Sequence, residues 1–222
     1  MRNQYYIKAR SYGMLGVIQS NIATGRSIAL TAENTFKLLA ELTGGSYTGP
    51  LIPDDLTSNV SNVINTYIVE GADIMFLIDQ SLNMTDAILI LQEELIELFD
   101  SIPNDCDLGI ASYGNLVLDS VLGLNGNNWY GIQDFTSNYD FIQEFVDSLQ
   151  ALCRLNTSAS IFDGIYRTIH YSSWDSNQKA IFLIGNTPPV ITSCDTQIDY
   201  INECTQNSII NVLNSCNKIG VN

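Results

Sequence analysis

The sequence contains little charge, and basic charge is scarcest. Only 15% of its 222 residues are charged, and 9 lysines and arginines stand against 24 aspartates and glutamates, which gives a formal net charge of −15. A surface this acidic repels nucleic-acid phosphates and anionic membrane surfaces, so we expect neither as a partner. The 45% of hydrophobic residues is typical of a globular protein and not of a disordered one.

Long hydrophobic runs are also missing. No apolar run reaches the ~18 residues that a membrane span needs, so we expect no membrane insertion. The first residues show no clear hydrophobic region and cleavage site, so no signal peptide is evident. The low lysine content and the many Asn, Thr and Tyr residues favour an extracellular or cell-surface protein, although the compartment stays open.

The common catalytic motifs are absent. There is one histidine, His170, and the chain has no P-loop, no G-x-S-x-G elbow and no G-x-G-x-x-G fingerprint. The five cysteines are irregularly spaced, which excludes a metal-finger pattern. We therefore expect the protein not to be an enzyme. A Rossmann-like enzyme that uses acidic residues remains the alternative.

One short stretch does indicate a binding site. The apolar run from Ile74 to Ile78 predicts a buried parallel strand, and Asp79, Ser81 and Asn83 follow it at alternate positions. Hard oxygen ligands just beyond a strand can converge on one divalent cation. They would lie at the carboxyl edge of the sheet, where open α/β folds bind ligands.

The rest of the pattern alternates strands with helices, which predicts a doubly wound, mostly parallel α/β fold. Strands are expected at Gln4–Arg10, Ser46–Thr48, Asp73–Asp79, Asp107–Tyr113, Leu116–Leu122 and Ala180–Ile184. Helices are expected near 31–42, 55–70, 85–102 (with Thr85 as its N-cap), 141–152, 160–170 and 209–216. The Gly114-Asn115 turn predicts a hairpin between the fourth and fifth of these strands. Trp129 and Tyr130 fall in a predicted loop, where they either contact a partner protein or pack on the sheet.

The spacing of Asp79, Ser81 and Asn83 resembles the D-x-S-x-S of the metal-ion-dependent adhesion site in von Willebrand factor A domains, with Asn83 departing from it. Residues 71–222 resemble this family from its first strand to the helix before its fifth strand. Residues 4–70 resemble the remainder: Phe36–Pro50 is similar to the penultimate helix and the turn into the last strand, and 55–70 to the closing helix. The resemblance implies a three-layer α/β/α sandwich with a Rossmann-like, doubly wound sheet.

The order of the two pieces allows two interpretations. Residues 1–222 form either one circularly permuted domain or a one-period window of tandem domains. Only Gly71 and Ala72 separate the predicted closing helix from the predicted first strand. A connection this short is typical of a loop within one domain, so we favour the single permuted domain.

The resemblance also implies further ligands. The family's threonine ligand falls on Thr157, with Ser158 as the alternative, and its second aspartate falls on Asn186. The implied set is Asp79, Ser81, Asn83, Thr157 and Asn186, for Mg²⁺ or else Mn²⁺ or Ca²⁺. Because Asn186 replaces a carboxylate, we expect a weak metal site. The structural alternative is that Asp79 and Asn83 only cap the following helix.

The implied function is protein–protein interaction or adhesion. In this hypothesis, an acidic residue of a protein ligand completes the coordination of the cation. The alternative is a structural repeat whose metal site is vestigial. The identity of the ligand and the oligomeric state stay open.

Overall fold

The structure is a computed structural model, and it describes residues 14–20, 26–116, 129–151, 159–190 and 207–219. The strands are β1 (Met14–Ser20), β2 (Ser46–Leu51), β3 (Asp73–Asp79), β4 (Asp107–Tyr113), β5 (Tyr130–Thr136) and β6 (Lys179–Ile184). The helices are α1 (Arg26–Thr43), α2 (Leu56–Tyr67), α3 (Thr85–Phe99), α4 (Tyr139–Ser148), α5 (Ile161–Tyr171) and α6 (Ile209–Ile219). No helix in these ranges is long and apolar enough to cross a membrane.

The six strands form one open sheet in the order β2-β1-β6-β3-β4-β5. All neighbours pair in parallel except β5, which is antiparallel to β4 at the sheet edge. The sheet takes β1 and β2 from the first seventy residues and its other strands from the rest of the chain. The predicted mostly parallel α/β sheet is thus present, and both parts of the chain contribute to it.

Helices cover both faces of the sheet, as the alternation along β3 requires. Ile74, Phe76 and Ile78 belong to a core on the side of α2, α3 and α4. Met75 and Leu77 belong to a second core on the side of α1, α5 and α6. Burial of each such side chain contributes about 1.5–3 kcal/mol to stability. A strand that is buried on both faces is therefore apolar at consecutive positions and not only at alternate ones.

Most predicted elements are present with shifted ends. The strand Asp73–Asp79 is confirmed to the residue, and the last strand gains Lys179 at its start. The first described helix begins at Arg26 and not at Thr31. The strand predicted at Gln4–Arg10 lies outside the described residues, and β1 was not predicted. Thr85 is the first residue of α3 and not its N-cap, which is Met84, and the Thr85 hydroxyl donates to the carbonyl oxygen of Leu82.

The predicted hairpin is wrong in its second strand. The antiparallel partner of β4 is β5, in which Tyr130 pairs with Tyr113. Leu116 lies outside every strand and donates its backbone N–H to the hydroxyl of Ser160, while residues 117–122 lie outside the described ranges. Trp129 and Tyr130 are buried, which confirms the packing alternative for these aromatics.

A glutamine fastens the connection between α2 and β3. Nε2 of Gln178 donates to the carbonyl oxygen of Tyr67 at 2.9 Å, and Oε1 of Gln178 accepts from the backbone N–H of Val69 at 2.8 Å. The carbonyl oxygen of Gln178 also accepts from the backbone N–H of Asp73 at 2.9 Å. The loop before β6 therefore holds the chain on both sides of Gly71, whose φ of 73° is a left-handed value suited to glycine.

Candidate functional site

Three strands end side by side at the carboxyl edge of the sheet. Asp79 is the last residue of β3, and its register partner on β4 is Tyr113. Asn186 follows β6, whose last residue Ile184 pairs with Ile78 of β3. Parallel strands all end at the same edge, so residues that are distant in sequence meet here. This edge is where the sequence predicts the ligand site.

Asp79 is fully buried, and backbone groups hold its carboxylate. Oδ1 accepts from the N–H of Ser81 at 2.8 Å, and Oδ2 accepts a longer bond from the N–H of Asn186 at 3.5 Å. Burial raises the pKa of Asp79, whereas hydrogen bonding from Thr187, Ser81 and Asn186 opposes that rise. The net shift is upward, so desolvation is the stronger effect.

Two hydroxyls from different loops meet beside this carboxylate. Oγ of Ser81 and Oγ1 of Thr187 lie 2.6 Å apart, and Thr187 is buried. Thr187 is not among the site residues predicted from the sequence. Its signal was available, because Thr187 directly follows Asn186, a predicted site residue, and carries a hydroxyl of the type that ligates hard cations.

The two asparagines of the predicted set are neighbours. Nδ2 of Asn186 donates to the backbone carbonyl oxygen of Asn83 at 3.4 Å, so this contact does not use the Asn83 side chain. The structure thus brings Asp79, Ser81, Asn83 and Asn186 to one edge. Thr157 and its alternative Ser158 lie outside the described residues.

The capping alternative fits the geometry poorly. The N-cap of the short 3₁₀ turn Leu82–Met84 is Ser81, and the N-cap of α3 is Met84. Neither residue makes a side-chain capping bond. Asp79 instead accepts from the residue two positions ahead of it, which fixes the turn that leads out of the strand.

A tyrosine hydroxyl is buried in the same place. The Tyr113 hydroxyl has no hydrogen-bond partner within the part of the chain that the structure describes. A Cβ built on Gly185 would lie 2.8 Å from this hydroxyl and 3.2 Å from Cβ of Asp79. Burial, and secondarily the Asp79 carboxylate, raises the pKa of Tyr113 well above its usual value.

These groups suit a hard cation. Within the described ranges the only ion pair joins Lys37 and Glu33, so Asp79 is a buried carboxylate without a basic partner. Buried charges are normally paired or bound to a metal. Around it stand the neutral hydroxyl oxygens of Ser81 and Thr187, which are ligand types that Mg²⁺, Mn²⁺ and Ca²⁺ accept.

A second group of carboxylates lies at the opposite edge of the sheet. Carboxylate oxygens of Asp73, Asp107 and Asp175 lie within 4.8 Å of one another, close enough to bind one metal ion. Only Asp73 of the three is buried. Its Oδ2 accepts from the backbone N–H groups of Asp175 and Ser176 at 2.9 Å each, so this carboxylate already organises the loop before β6.

Neither a known protein-family model nor a curated protein matches this chain. The resemblance to von Willebrand factor A domains therefore rests on the residues that carry it.

Proposed function

We propose that the protein is an interaction or adhesion domain that binds a protein ligand at the carboxyl edge around Asp79, with the help of a divalent cation. One observation carries this proposal. Asp79 is a fully buried carboxylate with no basic partner in the described ranges, and it stands beside the hydroxyls of Ser81 and Thr187. A dication would supply the positive charge that this carboxylate lacks.

The arrangement of the elements supports membership of the von Willebrand factor A family. From β1 to α2 the chain runs strand, helix, strand, helix, which is the order that the resemblance assigns to the end of such a domain. β1 lies between β2 and β6, so this piece continues the sheet of the remaining residues. This arrangement favours the single, circularly permuted domain over two half domains.

The charge of the site supports an acidic ligand. Asp79 is the only carboxylate among Asp79, Ser81, Asn83, Thr157 and Asn186, so a bound dication would leave the site with net positive charge. A carboxylate from a protein ligand would neutralise it and fill an open coordination position. The chain as a whole carries a net charge of −15, so its surface elsewhere would repel acidic partners.

Thermal unfolding tests the cation directly. The wild type is unfolded in EDTA and then with Mg²⁺, Mn²⁺ or Ca²⁺, beside Asp79→Asn. A cation at about 100 times its dissociation constant stabilises by ~2.7 kcal/mol, which for a chain of this size raises the midpoint by roughly 5–10 °C. We expect this rise in the wild type and its loss in Asp79→Asn.

Asp107→Asn is the matched control, because Asp107 belongs to the acidic group at the opposite edge. The rise should persist in this variant. A rise that survives in Asp79→Asn and disappears in Asp107→Asn would place the cation at the wrong edge and overturn the proposal. If the rise depends on Asp79, a second experiment tests the interaction itself. An acidic peptide should be retained on the immobilised protein, and EDTA should release it.

One observation favours a second candidate, a structural domain with a vestigial site. Asn186 stands where the resemblance implies a carboxylate, and its side chain donates to the carbonyl oxygen of Asn83. This contact holds two loops together without a metal. The absence of any cation-dependent rise in the wild type would favour this candidate.

A further inference from the structure

The Tyr113 hydroxyl is a buried polar group without a hydrogen-bond partner in the described ranges. Buried hydroxyls nearly always have a partner, so an unpaired one calls for a physical reason. The neighbouring strand offers a comparison. Tyr130, the register partner of Tyr113, is also buried, but its hydroxyl lies 3.1 Å from Oγ1 of Thr168. A partner is therefore available to one phenol of this pair and not to the other.

The phenol lies beside Asp79. Asp79 and Tyr113 are register partners on adjacent parallel strands, so their side chains project from the same face of the sheet. The hydroxyl and Cβ of Asp79 both lie close to the point where a Cβ on Gly185 would stand, at 2.8 Å and 3.2 Å. The hydroxyl thus lies between the ends of β3 and β6.

Packing explains the ring but not its hydroxyl. A Cβ on Gly164 would lie 3.0 Å from Cβ of Tyr113, and a Cβ on Gly185 would meet the hydroxyl itself, so two glycines leave room for this side chain. A phenylalanine would fill nearly the same volume without burying a polar atom. The hydroxyl therefore adds only one polar atom, which is buried near Gly185 and Asp79.

We propose that Tyr113 is a binding residue of the Asp79 site, and that its hydroxyl oxygen accepts a hydrogen bond from a water carried by the bound divalent cation. This inference rests on the proposed function. Mg²⁺ in particular gives up its waters reluctantly and keeps several when it binds to protein. Such a water has its lone pair on the cation and therefore acts as a donor, and the carboxylate of Asp79 and the hydroxyl oxygen of Tyr113 can accept its two hydrogens.

The test is Tyr113→Phe, measured by titration with Mg²⁺ and with Mn²⁺ and by thermal unfolding in EDTA. We expect the dissociation constant to rise about tenfold, the factor that corresponds to one hydrogen bond. In EDTA the variant should be at least as stable as the wild type, because no bond is lost. Tyr130→Phe is the control: it should lower the midpoint equally with and without cation and leave the dissociation constant unchanged.

Each outcome decides between the two proposals. Equal cation affinity in the wild type and Tyr113→Phe would overturn the role of Tyr113 and leave the cation site standing. A midpoint in EDTA that falls as far in Tyr113→Phe as in Tyr130→Phe would also overturn it, because the hydroxyl would then have a partner without the cation. A wild type that binds no divalent cation would overturn both proposals.

Discussion

The hydroxyl oxygens of Ser81 and Thr187 lie 2.6 Å apart, although 106 positions separate the two residues in the chain. Ser81 leaves β3 and Thr187 leaves β6, and these strands are parallel neighbours. The contact therefore joins the two loops that surround Asp79. Substitution of Thr187, and not only of Asn186, should therefore change the stability of the site.

Thr187→Val keeps the shape of the side chain and removes its hydroxyl. The lost hydrogen bond leaves Ser81 without this partner, which should lower the free energy of unfolding by about 1 kcal/mol. If the hydroxyl also serves a cation, the stabilisation by Mg²⁺ should shrink as well. Urea unfolding in EDTA and in Mg²⁺ measures both effects.

Thr168→Val provides the comparison for Thr187→Val. Thr168 is equally buried and bonds the hydroxyl of Tyr130, away from Asp79. Its loss should cost similar stability in both buffers. An undiminished response to Mg²⁺ in Thr187→Val would show that this hydroxyl is structural only.

The sequence predicts the centre of the site better than its margins. Asp79, Ser81 and Asn83 follow a strand whose buried apolar run fixes its end, so their position could be read from the chain. Thr187 was missed because the approach of its loop to Ser81 depends on the neighbouring positions of β3 and β6 in the sheet. Its place next to Asn186 and its hydroxyl made Thr187 a candidate, but local spacing does not show which loops lie side by side.

The same limit explains the wrong hairpin. Gly114-Asn115 is a good turn sequence, yet the N–H of Gly114 donates to the carbonyl oxygen of Trp129 at 2.6 Å, which starts the pairing with β5. Burial of Trp129 and Tyr130 outweighs the local turn preference. The helices were easier to predict, because their apolar spacing reflects burial against a single sheet face.

The buried carboxyl of Asp79 predicts a dependence of stability on pH. Desolvation raises the pKa of Asp79 in the folded protein, so between the unfolded value of about 3.9 and the raised value the native state holds more protons. Without cation, the free energy of unfolding should therefore fall as pH rises through that window. Asp79→Asn removes this loss, so its stability relative to the wild type should increase with pH.

Measurement in EDTA across acid to neutral pH isolates this effect. The pKa of Asp73 is raised by desolvation too, but Asp73 is present in both proteins and its contribution cancels in the difference. A constant difference between wild type and Asp79→Asn at all pH values would contradict the upward shift.

Gly185 should not tolerate a larger residue. In Gly185→Ala the new Cβ would lie 2.8 Å from the Tyr113 hydroxyl and 3.2 Å from Cζ of Phe36. Such overpacking of a buried position typically costs about 1–3 kcal/mol. Urea unfolding of the variant in EDTA should show a loss in this range.

A double-mutant cycle identifies the atom responsible for that loss. The closest atom is the Tyr113 hydroxyl oxygen, so Tyr113→Phe should recover part of the stability lost in Gly185→Ala. Tyr130→Phe should give no such recovery. Simple additivity of Gly185→Ala with Tyr113→Phe would mean that the clash is relieved elsewhere.

A substitution at Phe36 tests whether the first seventy residues unfold together with the rest of the chain. Phe36 is fully buried on α1, while both tryptophans, Trp129 and Trp174, lie beyond Gly71. Phe36→Leu should cost about 1 kcal/mol in lost packing, which for this size lowers the midpoint by roughly 2–4 °C. If the sheet is one cooperative unit, tryptophan fluorescence must report this shift, and circular dichroism must report the same one.

Leu38→Ala is the control for Phe36→Leu. Leu38 lies on the same helix but is 45% exposed, so its loss should change the midpoint little.

A single cooperative unit also predicts that limited proteolysis near Gly71 releases no folded fragments, because Gln178 holds the chain on both sides of that residue. Two results together would contradict the single domain: the fluorescence midpoint does not change in Phe36→Leu, and circular dichroism resolves two unfolding steps. The same pair of results would favour two half domains from a tandem array.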